Sequence, residues 1–113
     1  MALDDLIVYK KSEVLLYKIY PTLANYPKSE THSLCLKIKE AFFDLLSHIS
    51  LGNSVKSKRT IYLQQADGYL QTIKILMKLS FHLKYISEGF FKEVDLSLTE
   101  INKILAGYIR SSN

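Results

Sequence analysis

The chain has 113 residues, 48% hydrophobic and 23% charged, with a formal net charge of +4. That length fits one domain and leaves no room for a second, and it can bury a core without staples. Cys35 is the sole cysteine, which excludes an intramolecular disulfide, and no apolar run approaches the roughly 18 residues of a membrane span. The opening Met1-Ala2-Leu3-Asp4-Asp5 is acidic and has neither the basic nor the apolar region of a signal peptide. A reducing cytoplasm is therefore the expected compartment.

With only four Gly and two Pro, turn signals are sparse, which predicts long helices with short connections. The first helix is expected over about Asp4 to Leu23. Asp4 and Asp5 complement the positive end of its dipole, and Pro21 kinks or ends it. The second is expected from about Ser29 to Leu51, where Leu34, Ile38, Ala41, Phe42, Leu45 and Ile49 repeat at spacings of three and four. Gly52-Asn53-Ser54 supplies C-cap chemistry. The third runs from about Ser57 to Tyr85 on a seam of Ala66, Leu70, Ile73, Met77 and Ser80. Ser87 is the expected N-cap of the fourth, in which Phe91, Val94, Leu98, Ile101, Leu105 and Tyr108 hold a near-heptad spacing. No strand-like alternation exceeds four residues. Four amphipathic helices with short turns predict an all-α, antiparallel up-down four-helix bundle. Its core is expected to include Phe42, Leu45, Leu70, Ile73, Leu98, Ile101 and Leu105.

Charge is unevenly spread. From Asn53 to Lys84, six basic residues stand against Asp67 alone, an excess of +5, while the other segments come close to balance. Such asymmetry points to an anionic partner. Asp67, Gln71, Lys74, Lys78 and Tyr85 fall on one side of the third helix, and Lys56, Lys58 and Arg59 stand where it begins. Lys37 and Lys39 extend the set from the second helix. These seven basic residues, Lys37, Lys39, Lys56, Lys58, Arg59, Lys74 and Lys78, are the candidate nucleic-acid contacts. Lysines would meet phosphates as point charges without reading bases. The plain alternative is a solvated helix face.

Other chemistry finds little support. His32, His48 and His82 are isolated, and no Glu-x-x-His pair of the di-iron bundles occurs. Asp44 and His48 are one turn apart, which suits a surface or capping role. No nucleophile elbow or Gly-rich phosphate loop is present, so no catalytic residue, metal or cofactor is assigned. Apolar residues beyond one stripe per helix, such as Leu15 with Leu16 and Tyr17, suggest a homo-oligomer.

Several segments carry a likeness to a known family. Tyr20-Pro-Thr-Leu-Ala-Asn-Tyr-Pro-Lys-Ser-Glu30 resembles the first helix end and turn of the Avd proteins, the accessory variability determinants of diversity-generating retroelements. The likeness continues through Leu34 to Leu46, in Tyr62-Leu-Gln-Gln-Ala-Asp67, in Ile73-Lys-Ile-Leu-Met-Lys-Leu79 and in Leu105-Ala-Gly-Tyr-Ile-Arg110. Two features depart from the family pattern: Gln64 and Gln65 replace acids, and Lys74 and Lys78 replace arginines, which keeps the charge but loses the bidentate fork. The sister ribosomal intervening-sequence proteins share the bundle. Their Ile-Pro-Ser-Asn-Ile-Ala-Glu-Gly signature is not matched by Leu46-Ser-His-Ile-Ser-Leu-Gly52, which lacks the proline. An intervening-sequence-type or orphan bundle with an interaction role is the alternative. The Avd resemblance implies a homopentamer with a basic surface. It also implies a reverse transcriptase and its template RNA as partners in mutagenic complementary-DNA synthesis.

Overall fold

The computed structural model describes residue 2 and residues 6–112. The described residues form α1 (Ile7–Ile19), α2 (Leu34–Ser54), α3 (Arg59–His82) and α4 (Glu88–Ser112), with short 3₁₀ turns and no strand. Asp4 and Asp5, expected at the first helix terminus, lie outside the described residues.

The helix boundaries follow local chemistry. The first α-helix ends at Ile19, just before Pro21 as expected, and the chain goes on as a 3₁₀ segment, Tyr20–Asn25, in which the missing N–H of Pro21 costs little. The stop of that segment comes at Tyr26. It precedes Pro27 and takes the extended conformation that a following proline enforces, with φ −70° and ψ 155°. Ser29 and Glu30 belong to another short 3₁₀ turn, so α2 starts at Leu34 rather than near Ser29.

Gly52 plays a different part from the expected cap. It lies inside α2, and no described glycine has a positive φ. A Cβ built on Gly52 would stand 2.7 Å from Leu63 Cδ2, so its bare backbone is what lets α3 come close. The left-handed position falls instead on Lys84, with φ 64°. There the Tyr85 N–H reaches the Ser80 carbonyl and the Lys84 N–H reaches the Phe81 carbonyl, both at 2.9 Å. This is the Schellman closure of α3, built with lysine where glycine is usual. Ser87 caps α4 as expected, its Oγ accepting the Phe90 N–H at 3.1 Å.

Cross-helix contacts fix the topology. Gly52 near the end of α2 meets Leu63 near the start of α3. Thr60 of α3 shares a 2.9 Å hydrogen bond with Ser112 of α4, and Phe81 stacks on Phe91 at 4.8 Å. Lys11 and Lys18 of α1 pair with Glu100 and Glu93 of α4. Neighbouring helices therefore run antiparallel around a square, an up-down bundle 43 Å long. All seven expected core residues are buried, none more than 1% exposed. Two buried serines are satisfied within their own helices: Ser12 donates to the Val8 carbonyl and Ser80 to that of Leu76. Leu15 and Leu16 belong to the core, while Tyr17 stays 64% exposed. No described helix is long and apolar enough to cross a membrane.

Candidate nucleic-acid interface

Lys74 and Lys78 stand one turn apart on the flank of α3 that faces α4. The flank is located by Gln71, whose amide donates to Asp67 Oδ1 at 3.5 Å and, across the helix gap, to Asn102 Oδ1 at 3.3 Å. Lys78 is exposed and Lys74 half-buried, and neither forms an ion pair with a described carboxylate. Tyr85, expected on the same side, has left it. The turn at Lys84 carries it across the bundle end, where its hydroxyl donates to Glu30 Oε2 at 2.9 Å. That bond and one from Ser33 at 2.6 Å favour the Glu30 carboxylate. The Ser33 and Tyr85 hydrogen bonds hold Glu30 below the usual carboxylate range, and the bond to Glu30 raises the Tyr85 phenol.

The other sequence-predicted cations are dispersed. Lys56 and Lys58 are exposed on the 3₁₀ turn before α3, with Lys58 roughly 24 Å along the axis from Lys74. Arg59 is engaged: Nε donates to the Gly52 carbonyl at 2.7 Å and Nη2 to that of Asn53 at 3.0 Å, with the guanidinium 5.6 Å from the Tyr108 ring. It satisfies the open carbonyls at the negative end of α2. Lys37 points outward but lies 3.5 Å from Glu40 Oε2. Lys39 leans on the Tyr20 ring at 4.8 Å, on the α1 side of α2. The structure therefore joins Lys74 and Lys78 and separates Lys39 from them.

Two cations that the segment charges conceal lie on the neighbouring α4, Lys103 nearer the pair and Arg110 toward the end where Thr60 meets Ser112. Lys92, Thr99, Lys103 and Arg110 share the solvent side of α4. Lys103 follows Asn102, the partner of Gln71, and Arg110 is one half-turn from Ser112, the partner of Thr60. The segment containing α4 has more acids than bases, but Glu93 and Glu100 turn toward α1, each 2.8 Å from a lysine there, and Glu88 lies 3.5 Å from Lys92. The α3–α4 side keeps Lys74, Lys78, Lys103 and Arg110 against Asp67 and Asp95. The heptad of α4 combined with antiparallel α3–α4 pairing was the available signal.

Among the described residues no three metal-ligating side chains cluster. His48 Nδ1 is hydrogen-bonded to the backbone carbonyl of Asp44 at 2.8 Å, not to its carboxylate, and its ring packs near Tyr62 and Tyr69. The Cys35 thiol is buried, 3.6 Å from the Leu23 carbonyl, and burial pushes its pKa up, away from a reactive thiolate.

A family model described as bAvd-like matches residues 6–112, which include all four helices. The chain belongs to the bAvd-like family. No curated protein matches it. In this bAvd-like chain one of the segments that carry the likeness is a connection and the others lie within α2, α3 and α4. Tyr20–Glu30 makes most of the α1–α2 connection, and Ile73–Leu79 holds both Lys74 and Lys78. Gln64 and Gln65, the departures from the family pattern, are exposed on α3 and disturb no core contact.

Proposed function

We propose that this bAvd-like protein is a non-catalytic accessory that binds nucleic-acid phosphates along the α3–α4 side. It would partner a retroelement reverse transcriptase and its template RNA in mutagenic complementary-DNA synthesis, acting in the cytoplasm as a homo-oligomer, by family resemblance a pentamer. The observation that carries the reading is the pair Lys74 and Lys78, one turn apart and without a described carboxylate partner, with Lys103 and Arg110 on the solvent side of the neighbouring α4. Of the acids of α4, Glu93 and Glu100 are held by α1 and Glu88 by Lys92, which leaves Asp95 on this side. Lys56 and Lys58 extend the row at one end, Lys37 and Lys39 contribute from α2, and Arg59 acts through its remaining donors.

Binding of this kind releases counterions, so it should be steeply salt-dependent and largely indifferent to sequence. Repetition of the patch around an oligomer multiplies it by avidity. The test is a titration of labelled RNA and DNA against wild type and Lys74→Glu/Lys78→Glu at two salt concentrations. The double variant should bind more weakly, with the salt slope reduced by about two units. Equal affinity with an unchanged slope would reduce the basic side to a solvated surface. The gene neighbourhood tests the partnership separately: a reverse-transcriptase gene beside this one is expected, and its product should co-purify with this protein in a pull-down.

A further inference from the structure

A cleft of about 610 Å³ opens between α1 and α4, away from the basic α3–α4 side. Its volume lies in the range of sites that hold one small molecule. Buried Leu15 and Ile101 make the floor, while Ile7 and Val14 on the α1 wall are 61% and 56% exposed. Ile7, Lys10, Val14 and Lys18 fall at i, i+3, i+7 and i+11, so they share the side of α1 that faces α4. The cleft follows the helices from Ile7 to Lys18, about 16 Å, which makes it long rather than round. Aliphatic side chains left in water along one concave surface mark a place for an apolar ligand.

Charge selects the head group of that ligand. Lys11 and Lys18 reach across to Glu100 and Glu93 at 2.8 Å, so these two ammonium groups are already paired. The pairs join the helices about 10 Å apart along the axis, with Val14 and Ser97 between them. Lys10 lines the same cleft and forms no ion pair with a described carboxylate. The charge left in the cleft is therefore one ammonium, and the apolar lysine stems lengthen its walls.

We infer that the α1–α4 cleft binds a small monocarboxylate with a linear apolar tail, its carboxylate on Lys10 and its tail against Ile7, Val14, Leu15 and Ile101. One free ammonium matches one carboxylate. A ligand with several negative charges, such as an acidic helix of a partner protein, would have to draw Lys11 or Lys18 from its glutamate to match them. A cation with the same tail would meet Lys10 as a like charge. The site is independent of the nucleic-acid reading, because it shares no residue with Lys74, Lys78, Lys103 and Arg110.

Titration of the protein with decanoate, hexanoate and decyltrimethylammonium, each below its micelle-forming concentration, tests the site by amide chemical shifts. Decanoate should give saturable shifts at Val14, Ser97 and Ile101. It should bind more tightly than hexanoate, by up to about fourfold per added methylene, and more tightly than the cation. Lys10→Glu should weaken decanoate about fivefold and strengthen the cation. Val14→Asp should remove the binding of both. Lys10 and Val14 are exposed, so both variants should fold; circular dichroism checks this, with Lys10→Gln and Val14→Ser as replacements. Three results would each overturn the inference: no saturable shift along α1 and α4, equal affinity for decanoate and the cation, or variants that bind decanoate as wild type does.

Discussion

Helix α4 has two neighbours and treats them oppositely. Toward α1 its charge is spent: Glu93 and Glu100 meet Lys18 and Lys11 at 2.8 Å. On its solvent side it carries Lys103 and Arg110, and the adjoining flank of α3 carries Lys74 and Lys78; none of the four is paired with a described carboxylate. A charge total over the segment reports a small negative value and misses this division. What an anionic ligand meets is the charge left after neighbours have paired, because the Coulomb field of a close pair falls off quickly in water. One side of α4 is thus electrostatically closed and the other open.

The contrast can be broken or sharpened by substitution. The largest effect should come from the core that holds both sides in place. Leu70 is fully buried, and Leu70→Ala should cost roughly 2–5 kcal/mol of unfolding free energy in urea denaturation. Next, Lys103→Glu/Arg110→Glu should weaken RNA binding on the order of 50-fold near 0.1 M salt, from the loss of two phosphate contacts alone. Fluorescence anisotropy would measure it, and an unchanged affinity would remove α4 from the interface.

Gly52→Ala probes the close approach that sets α3 against α2. The new methyl would fall 2.7 Å from Leu63 Cδ2, and the forced shift should cost about 1–3 kcal/mol, visible as a lower melting temperature. The closed side supplies the control. Lys11→Ala/Lys18→Ala breaks two exposed ion pairs, so it should cost at most about 1 kcal/mol per pair. The same variant should leave the salt slope of RNA binding as in wild type; a fall as large as that of the α3 variant would erase the distinction between the two sides.

The smallest effect is a pH dependence at the bundle end. The Glu30 carboxylate is held below its ordinary value of 4.5 by Ser33 and Tyr85. Its contribution to stability is therefore present above about that pH and is lost as pH falls through the lowered folded value. Melting temperature should decline less steeply in acid for Glu30→Gln than for wild type. Parallel curves would show that the hydrogen bonds do not distinguish the folded from the unfolded carboxylate.

The sequence was most readable where one helix dictates its own outcome. Periodicity of three and four located all four helices and the core residues from Phe42 to Leu105. Ser87 was legible as a cap because capping involves only the residues that follow it. The reading slipped where a second helix intervenes. Gly52 looked like a terminator and is a contact point for Leu63. Tyr85 fits the wheel of α3 but lies past the turn at Lys84, bonded to Glu30. Arg59 belongs by position to the basic cluster, yet two of its donors are given to α2.

By itself, then, the sequence determined an all-α bundle, its antiparallel order, its buried stripes and a family likeness. These follow from the 3.6-residue period, short connections and side-chain apolarity, which are properties of the chain taken a few turns at a time. Only the tertiary structure decided which cations remain uncompensated and which apolar residues remain uncovered. Ion pairing and burial depend on distances of a few ångströms between residues far apart in the chain, such as Lys11 and Glu100 at 2.8 Å. Those distances are set by how the helices rotate against one another to close the core.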